Sequence, residues 1–450
     1  MESKLLTFLP IILTAVAVSA ADKPNIVLLL SDDQAWTDYG FMGHPNVRTS
    51  NIDQLAQESV AFPRGYVPTA LCRPSLMTLA TGHYAHQHGI TGNDPSPKYA
   101  ERDSPIYNRR RTKLISYIDR FDTLPELLGE AGYLSHQSGK WWEGNYSLGG
   151  FTHGMTRGYP QPGGRHGDDG LKIGREGLKE IYDFVDMAVK QDKPFYIWYA
   201  AFLPHTPHNP PERLLKKYRN HHPISIAKYY AMIEWWDETC GELIAYLEGK
   251  SIRDNTLIVY VGDNGWIQNP ERNGFALRSK QTPYEGGIRQ PTLYSWPAKL
   301  KPAHRTDLVS SIDIFPTMLA AAGTRNPKIE VPGLNLLPNM EKGTAIPRNA
   351  IFGESFAHDI ADIENPEASL LFRWVIEDDW KLLLTYNGEV NRHAQVHPRD
   401  EKRPQLFNLQ NDPHEKTNMA ALNPKIVERM AKMIGDWYPV TERKVLTKFE

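Results

Sequence analysis

The chain has 450 residues, with 51 Lys and Arg against 53 Asp and Glu and a formal charge of −2 at neutral pH. That length supports one large core plus a smaller appended domain, while the near-balanced charge and the lack of a basic run with interleaved aromatics exclude a nucleic-acid binder. Cys72 and Cys240 are the only cysteines, which excludes a disulfide-rich scaffold.

Residues 1–21 carry Lys4, an apolar run over 5–18 and the small residues Ser19, Ala20 and Ala21, the pattern of a cleaved secretory signal peptide. The run is short for a membrane span and no later segment is long enough, so the mature chain is expected to be exported, periplasmic or secreted, with no membrane span. Residues 26–30 are continuously apolar and end in Ser31-Asp32-Asp33, a buried parallel strand with acids at its carboxyl end. Cys72 opens the run Cys72-Arg73-Pro74-Ser75-Leu76-Met77-Thr78-Leu79-Ala80-Thr81-Gly82. Pro74 suits a first helical turn and Gly82 a stop, which predicts a helix over 75–80 with the cysteine at its positive end. Such an end favours oxyanions and lowers a cysteine pKa, so the arrangement suits sulfate or phosphate chemistry. Arg109-Arg110-Arg111 reads as a solvated loop, the alternative being a rim contact for an anionic polymer.

Residues 195–200 predict a strand leading into Pro204-His205-Thr206-Pro207, where the prolines imply a rigid loop around His205. Residues 224–248 predict a helix from the spacing of Tyr229, Ile233, Trp236, Cys240, Leu243 and Leu247, with Cys240 as core filler. Residues 256–261 predict a second buried strand that delivers Asp263 and Asn264, and 309–322 predict a helix stopped by Gly323. Beyond residue 330 the proline, glycine and asparagine content rises, and a second subdomain is expected from 345, with short strands at 373–377 and 381–386 and a terminal helix from 424. Strands alternating with helices indicate an α/β layer fold.

Asp32, Asp33, Asp263 and Asn264 offer only hard oxygen donors, a set suited to Ca2+ or Mg2+ rather than zinc. Strand carboxyl ends are where open α/β sheets bind ligands. For either pair alone, turn chemistry without a metal is the alternative.

The segments Asn25 to Asp33, Cys72 to Gly82, Gly139-Lys140-Trp141, Pro204-His205-Thr206-Pro207, Gly262-Asp263-Asn264-Gly265, and Lys280 followed by Tyr284-Glu285-Gly286-Gly287-Ile288-Arg289 together resemble the formylglycine-dependent sulfatases of the alkaline phosphatase superfamily. The resemblance runs over nearly the whole mature chain. It implies an α/β, alkaline phosphatase-like sandwich with a large mixed, mostly parallel sheet flanked by helices and a small C-terminal α+β subdomain. The corresponding boundaries are a signal peptide at 1–21, a catalytic domain at 22–335 and the subdomain at 345–450. It implies that Cys72 is oxidised to formylglycine by a formylglycine-generating or sulfatase-maturating enzyme, and that the hydrate attacks a sulfate ester. Lys140, His205 and Lys280 match the positions that contact the sulfate, and calcium is favoured over magnesium at Asp32, Asp33, Asp263 and Asn264. Glu285 and Arg289 read as supporting residues. The expected substrate is a sulfated sugar or polysaccharide; a phosphodiesterase or phosphonate hydrolase and a catalytically silent glycan-binding protein are the rivals.

Two positions depart from the family pattern. Leu76 stands where the family usually has an arginine that supports the formylglycine and belongs to the maturation signal, and Trp142 where it usually has a histidine that contacts the formylglycine hydroxyl. His86, His88, His136 and Arg73 are the nearby polar residues that could substitute, each of which also reads as structural or solvated.

Overall fold

The strand Asn25–Ser31 is apolar at nearly every position because it lies inside a sheet covered on both faces. In the computed structural model, which describes residues 23–98, 100–386 and 403–440, the segment 1–21 lies outside the described residues. The large sheet has eight strands in the order Ala303–His304, Val60–Phe62, Thr292–Ser295, Thr256–Gly262, Asn25–Ser31, Phe195–Ala200, Leu134–Gly139 and His153–Gly154. All neighbours pair in parallel except Thr292–Ser295, which is antiparallel to both of its neighbours.

Alternation along the central strand divides the core in two. Ile26, Leu28 and Leu30 pack with Leu79, Leu128 and Phe315. These come from the helices Cys72–Thr81, Leu124–Glu130 and Ile314–Ala322. Val27 and Leu29 pack on the other face with Leu55, Phe184 and Trp236. Those belong to the helices Ser50–Gln57, Lys179–Lys190 and Ile224–Gly249. Cys240 is fully buried in this second layer, as core filler.

The smaller unit is an antiparallel sheet of Ala350–Phe356, Leu370–Glu377, Trp380–Thr385 and Gln405–Asn408. The helix Pro424–Trp437 covers one face, setting Met430 and Ile434 against Val375, Leu382 and Leu406. The other face, with Trp374, Leu383 and Phe407, packs on Tyr66, Tyr284 and Ile288 of the large unit. Buried Lys381 adds a polar tie, its Nζ lying 3.1 Å from Glu285 Oε1 and 2.8 Å from Glu415 Oε1. Glu285 is therefore a structural anchor, in keeping with the supporting role expected of it.

Two local expectations are corrected. The helix expected over 309–322 starts only at Ile314, because Val309–Ser310 pairs in parallel with Gly65–Tyr66 and the Asp313 carboxylate accepts the Ser310 N–H at 2.9 Å. A capped turn there outcompetes continuation of the helix toward the N-terminus. Arg109-Arg110-Arg111 lies on the helix Pro105–Ile115, not in a solvated loop. Arg109 is exposed, but Arg110 and Arg111 are buried and Arg111 Nη1 binds Asp94 Oδ1 at 2.6 Å, since a long aliphatic stem lets arginine enter an interior that supplies a carboxylate.

Candidate active site

Parallel pairing brings the predicted residues to one sheet edge. Ser31 lies opposite Gly262, so Asp32-Asp33 and Asp263-Asn264 leave the sheet side by side. Gly139 lies opposite Ala200, so Lys140 and the loop toward His205 emerge at the same edge. Gly139 has φ 88°, and a Cβ there would meet the Ala200 carbonyl oxygen at 1.9 Å, so only glycine lets Lys140 start at this point.

Cys72 is the first residue of Cys72–Thr81, which ends at Gly82 with φ 73°. Its Sγ lies 3.1 Å from Lys280 Nζ and 4.0 Å from Asp33 Oδ1. Lys280 Nζ donates to Asp33 Oδ1 at 2.5 Å and Lys140 Nζ to Asp32 Oδ1 at 2.8 Å, with Asp263 Oδ2 3.8 Å from the latter ammonium. His205 Nε2 is 3.4 Å from Asp33 Oδ2. All eight residues singled out in the sequence thus meet in one cluster, and all but His205 are nearly inaccessible to solvent.

The four acidic and amide residues hold one another in place and leave a gap in their hydrogen bonding. Asp263 Oδ1 accepts the N–H groups of Asp33 at 3.1 Å and Asn264 at 2.7 Å, and Asn264 Nδ2 donates to Asp33 Oδ1 at 2.6 Å. Asp32 Oδ2, Asp33 Oδ2, Asp263 Oδ2 and Asn264 Oδ1 are buried with no hydrogen-bond partner, one oxygen from each predicted metal ligand. Buried acceptors of this kind are costly unless matched. A hard divalent cation matches them, so the residues fit calcium or magnesium.

The electrostatics follow from burial and crowding. Burial raises Asp32 well above the usual carboxylate range despite Lys140, and raises Asp263 as well. Burial also raises Asp33, but Lys280, His205 and Lys140 outweigh it and hold that carboxyl low. Burial would lower the two lysines, yet Asp32 keeps Lys140, and Asp33 keeps Lys280, firmly protonated. The expectation that a helix start lowers the Cys72 pKa is overturned. Burial pushes the thiol up to about 12, beyond what Lys140 and Lys280 recover, because losing solvent from a thiolate outweighs the partial charge of one helix end.

None of the suggested substitutes faces the cluster with a free group. Arg73 is taken up by Glu143, with Nε to Oε1 at 2.7 Å and Nη2 to Oε2 at 2.6 Å, both side chains being buried. His86 Nδ1 binds Glu354 Oε2 at 2.8 Å. His88 lies beside Thr78, with burial holding its pKa well below normal, and His136 packs on Phe184 with its pKa lowered to about 4 by burial. Leu76 and Trp142 sit in one apolar cluster. A polar link between the cysteine helix and the Lys140 segment is made by Arg73 and Glu143, each a close chain neighbour of a departing position.

Leu76→Arg should therefore lose stability rather than gain function. A guanidinium placed among these apolar neighbours costs several kcal/mol, ~3 or more, when it finds no carboxylate. Denaturant titration of the variant and the parent measures this, and unchanged stability or faster turnover would reject it.

Two histidines at the site were not singled out in the sequence. The His166 ring lies tilted against Trp142 with ring centroids 5.1 Å apart and edge-on to Phe202 at 5.5 Å, and Phe202 in turn stacks on His205 at 4.4 Å. His208 lies against Tyr229 at 5.3 Å and Trp266 at 6.0 Å. Burial lowers their pKa values to about 3 and about 4, so both rings are neutral. The available signals were the glycine-rich stretch around His166 and the closeness of His208 to His205.

A family model described as Sulfatase matches residues 24–324, and one described as N-sulphoglucosamine sulphohydrolase, C-terminal, matches residues 274–436. N-acetylgalactosamine-6-sulfatase of Homo sapiens is 27% identical, over 93% of this chain and 85% of that protein. Arylsulfatase A of Bos taurus is 28% identical, over 90% of this chain and 85% of that protein. Among solved structures, Ps i-CgsB in complex with k-i-k-neocarrahexaose aligns with a TM-score of 0.72 at 26% identity, covering 92% of each chain.

Proposed function

The chain belongs to the sulfatase family and is a sulfuric ester hydrolase, and we propose that it hydrolyses a sulfate ester of a sulfated sugar or polysaccharide through a formylglycine made from Cys72. What carries this reading is the meeting of Cys72 with Lys140, His205 and Lys280 on a buried cluster that keeps four unmatched oxygens. The sugar substrate is supported by relatives whose names specify N-acetylgalactosamine 6-sulfate esters and by a neighbour solved with an oligosaccharide.

In this mechanism the start of Cys72–Thr81 turns its positive dipole end toward the sulfate. Lys140 and Lys280, kept protonated by their aspartates, donate to its oxygens and offset the charge that builds as the residue-72 hydrate attacks sulfur. His205 Nδ1 donates to the Thr206 carbonyl at 2.5 Å and burial holds the ring's pKa well below normal, so Nε2 faces the site without a proton; it takes one from the attacking hydrate and passes it to the departing alcohol. A calcium ion held by Asp32, Asp33, Asp263 and Asn264 would add Lewis-acid polarisation of a sulfate oxygen. Maturation by a formylglycine-generating or sulfatase-maturating enzyme and export after loss of residues 1–21 belong to the same proposal.

Matched 4-nitrophenyl sulfate and phosphate esters, assayed in parallel, test the reaction class, with the sulfate expected to be the better substrate by kcat/KM. Peptide mass mapping of the same active preparation should find formylglycine at position 72 and a chain starting near residue 22. A preference for phosphate, or active protein with unmodified Cys72, would overturn the reading.

A further inference from the structure

The loop over 156–170 closes on the strand end that carries Lys140. Thr156 Oγ1 donates to the carbonyls of Gly139 at 3.3 Å and Gly167 at 3.1 Å, and the Asp168 carboxylate accepts the N–H groups of Arg157 and Gly158 at 3.1 and 2.8 Å. The Trp141 N–H donates to the His166 carbonyl at 3.1 Å. Loops of this length held by their own polar groups are commonly functional.

Arg165 is fixed at both ends. Its Nε and Nη2 donate to Asp94 Oδ2 at 2.9 and 2.5 Å, its guanidinium lies 4.6 Å over the Trp142 ring, and its carbonyl accepts Arg111 Nη2 at 2.8 Å. Asp94 is fully buried and already paired with Arg111 through its other oxygen. One carboxylate thus serves two guanidiniums, and the nearby Glu143 is occupied by Arg73, so a positive charge is left over. That charge is accessible: the Arg165 side chain is 37% exposed and its Nη1 has no partner among the described residues. His166 next to it joins Trp142 to Phe202 and so to His205, which places Arg165 along the wall that leads to the sulfate pocket.

We propose that Arg165, with His166 beside it, binds a second oxyanion of the substrate, either a further sulfate or a uronate carboxylate on the sugar that carries the scissile ester or on its neighbour. The inference rests on the sulfated-sugar reading above and narrows it to polyanionic saccharides. Pairing with Asp94 alone does not account for the site, because Arg111 already balances that carboxylate; a pre-positioned arginine with a free face is the geometry that planar oxyanions select.

Equilibrium binding to the Cys72→Ala protein, which holds substrate without turnover, provides the test. The probes are a disulfated hexose with its monosulfated parent, and a monosulfated disaccharide with and without a uronate. The second anion is expected to tighten binding about tenfold or more in at least one pair, as a charge-assisted hydrogen bond does. Adding Arg165→Gln should bring that ratio close to one, and Arg165→Lys should retain part of it. A ratio unchanged by Arg165→Gln, or a lower melting temperature as its sole effect, would assign the residue a structural role and overturn the inference. Failure to bind any of the sugars would instead overturn the sulfated-sugar reading, and this one with it.

Discussion

Cys72→Ala should lower turnover of a sulfate ester by at least about 10^4-fold, the scale on which loss of a nucleophile acts, while leaving the fold in place. The expected stability change is small. Alanine is at least as good a helix former as cysteine at the first position of Cys72–Thr81, and Lys280 keeps its bond to Asp33 when the sulfur is gone. What remains is the loss of one buried atom, about 1 kcal/mol, or a few degrees of melting temperature in a chain of this size. Steady-state kinetics and thermal melts by circular dichroism, run on one preparation, read both quantities. Full activity in the alanine variant would remove position 72 from the chemistry. Activity in Cys72→Ser would not, because serine is itself a substrate for some maturation systems.

The burial of Cys72 also marks where reading a sequence stops. Asp32, Asp33, Asp263 and Asn264 were legible because each follows an apolar run of strand length, and parallel pairing of such runs brings their ends together wherever they lie in the chain. Lys140, His205 and Lys280 were legible only through the segments around them. The thiol pKa was not, since a helix end is a local feature and solvent exclusion depends on the whole fold. The Arg73–Glu143 pair joins residues 70 apart in sequence; nothing in either neighbourhood names the other. Charge also hid structure: three consecutive arginines suggested a loop, because the carboxylate that admits Arg111 to the interior, Asp94, lies on a separate short strand.

Asp263 gives the other large effect. Asp263→Ala would delete the unmatched Oδ2 and also strip the Asp33 and Asn264 N–H groups of their acceptor, so loss of metal and loss of local structure would be confounded. Asp263→Asn separates them: its side-chain carbonyl can still accept both N–H groups, while an amide NH2 replaces the oxygen meant for the cation. This variant should keep its fold but lose bound calcium and fall in activity by about 10^2-fold or more, as expected when an electrostatic stabiliser of the transition state is removed. Chelation of the parent should have the same effect, reversed by calcium and not by zinc. The thermodynamic signature is independent of turnover. A cation that binds only the folded chain stabilises it by RT ln(1 + [L]/Kd), about 2.7 kcal/mol at a hundredfold excess over Kd. The melting temperature of the parent should therefore climb with added calcium, whereas that of Asp263→Asn should stay flat. Metal analysis that finds zinc, or no divalent ion, in fully active parent protein would refute the assignment, because the four oxygens would then have to be matched in some other way.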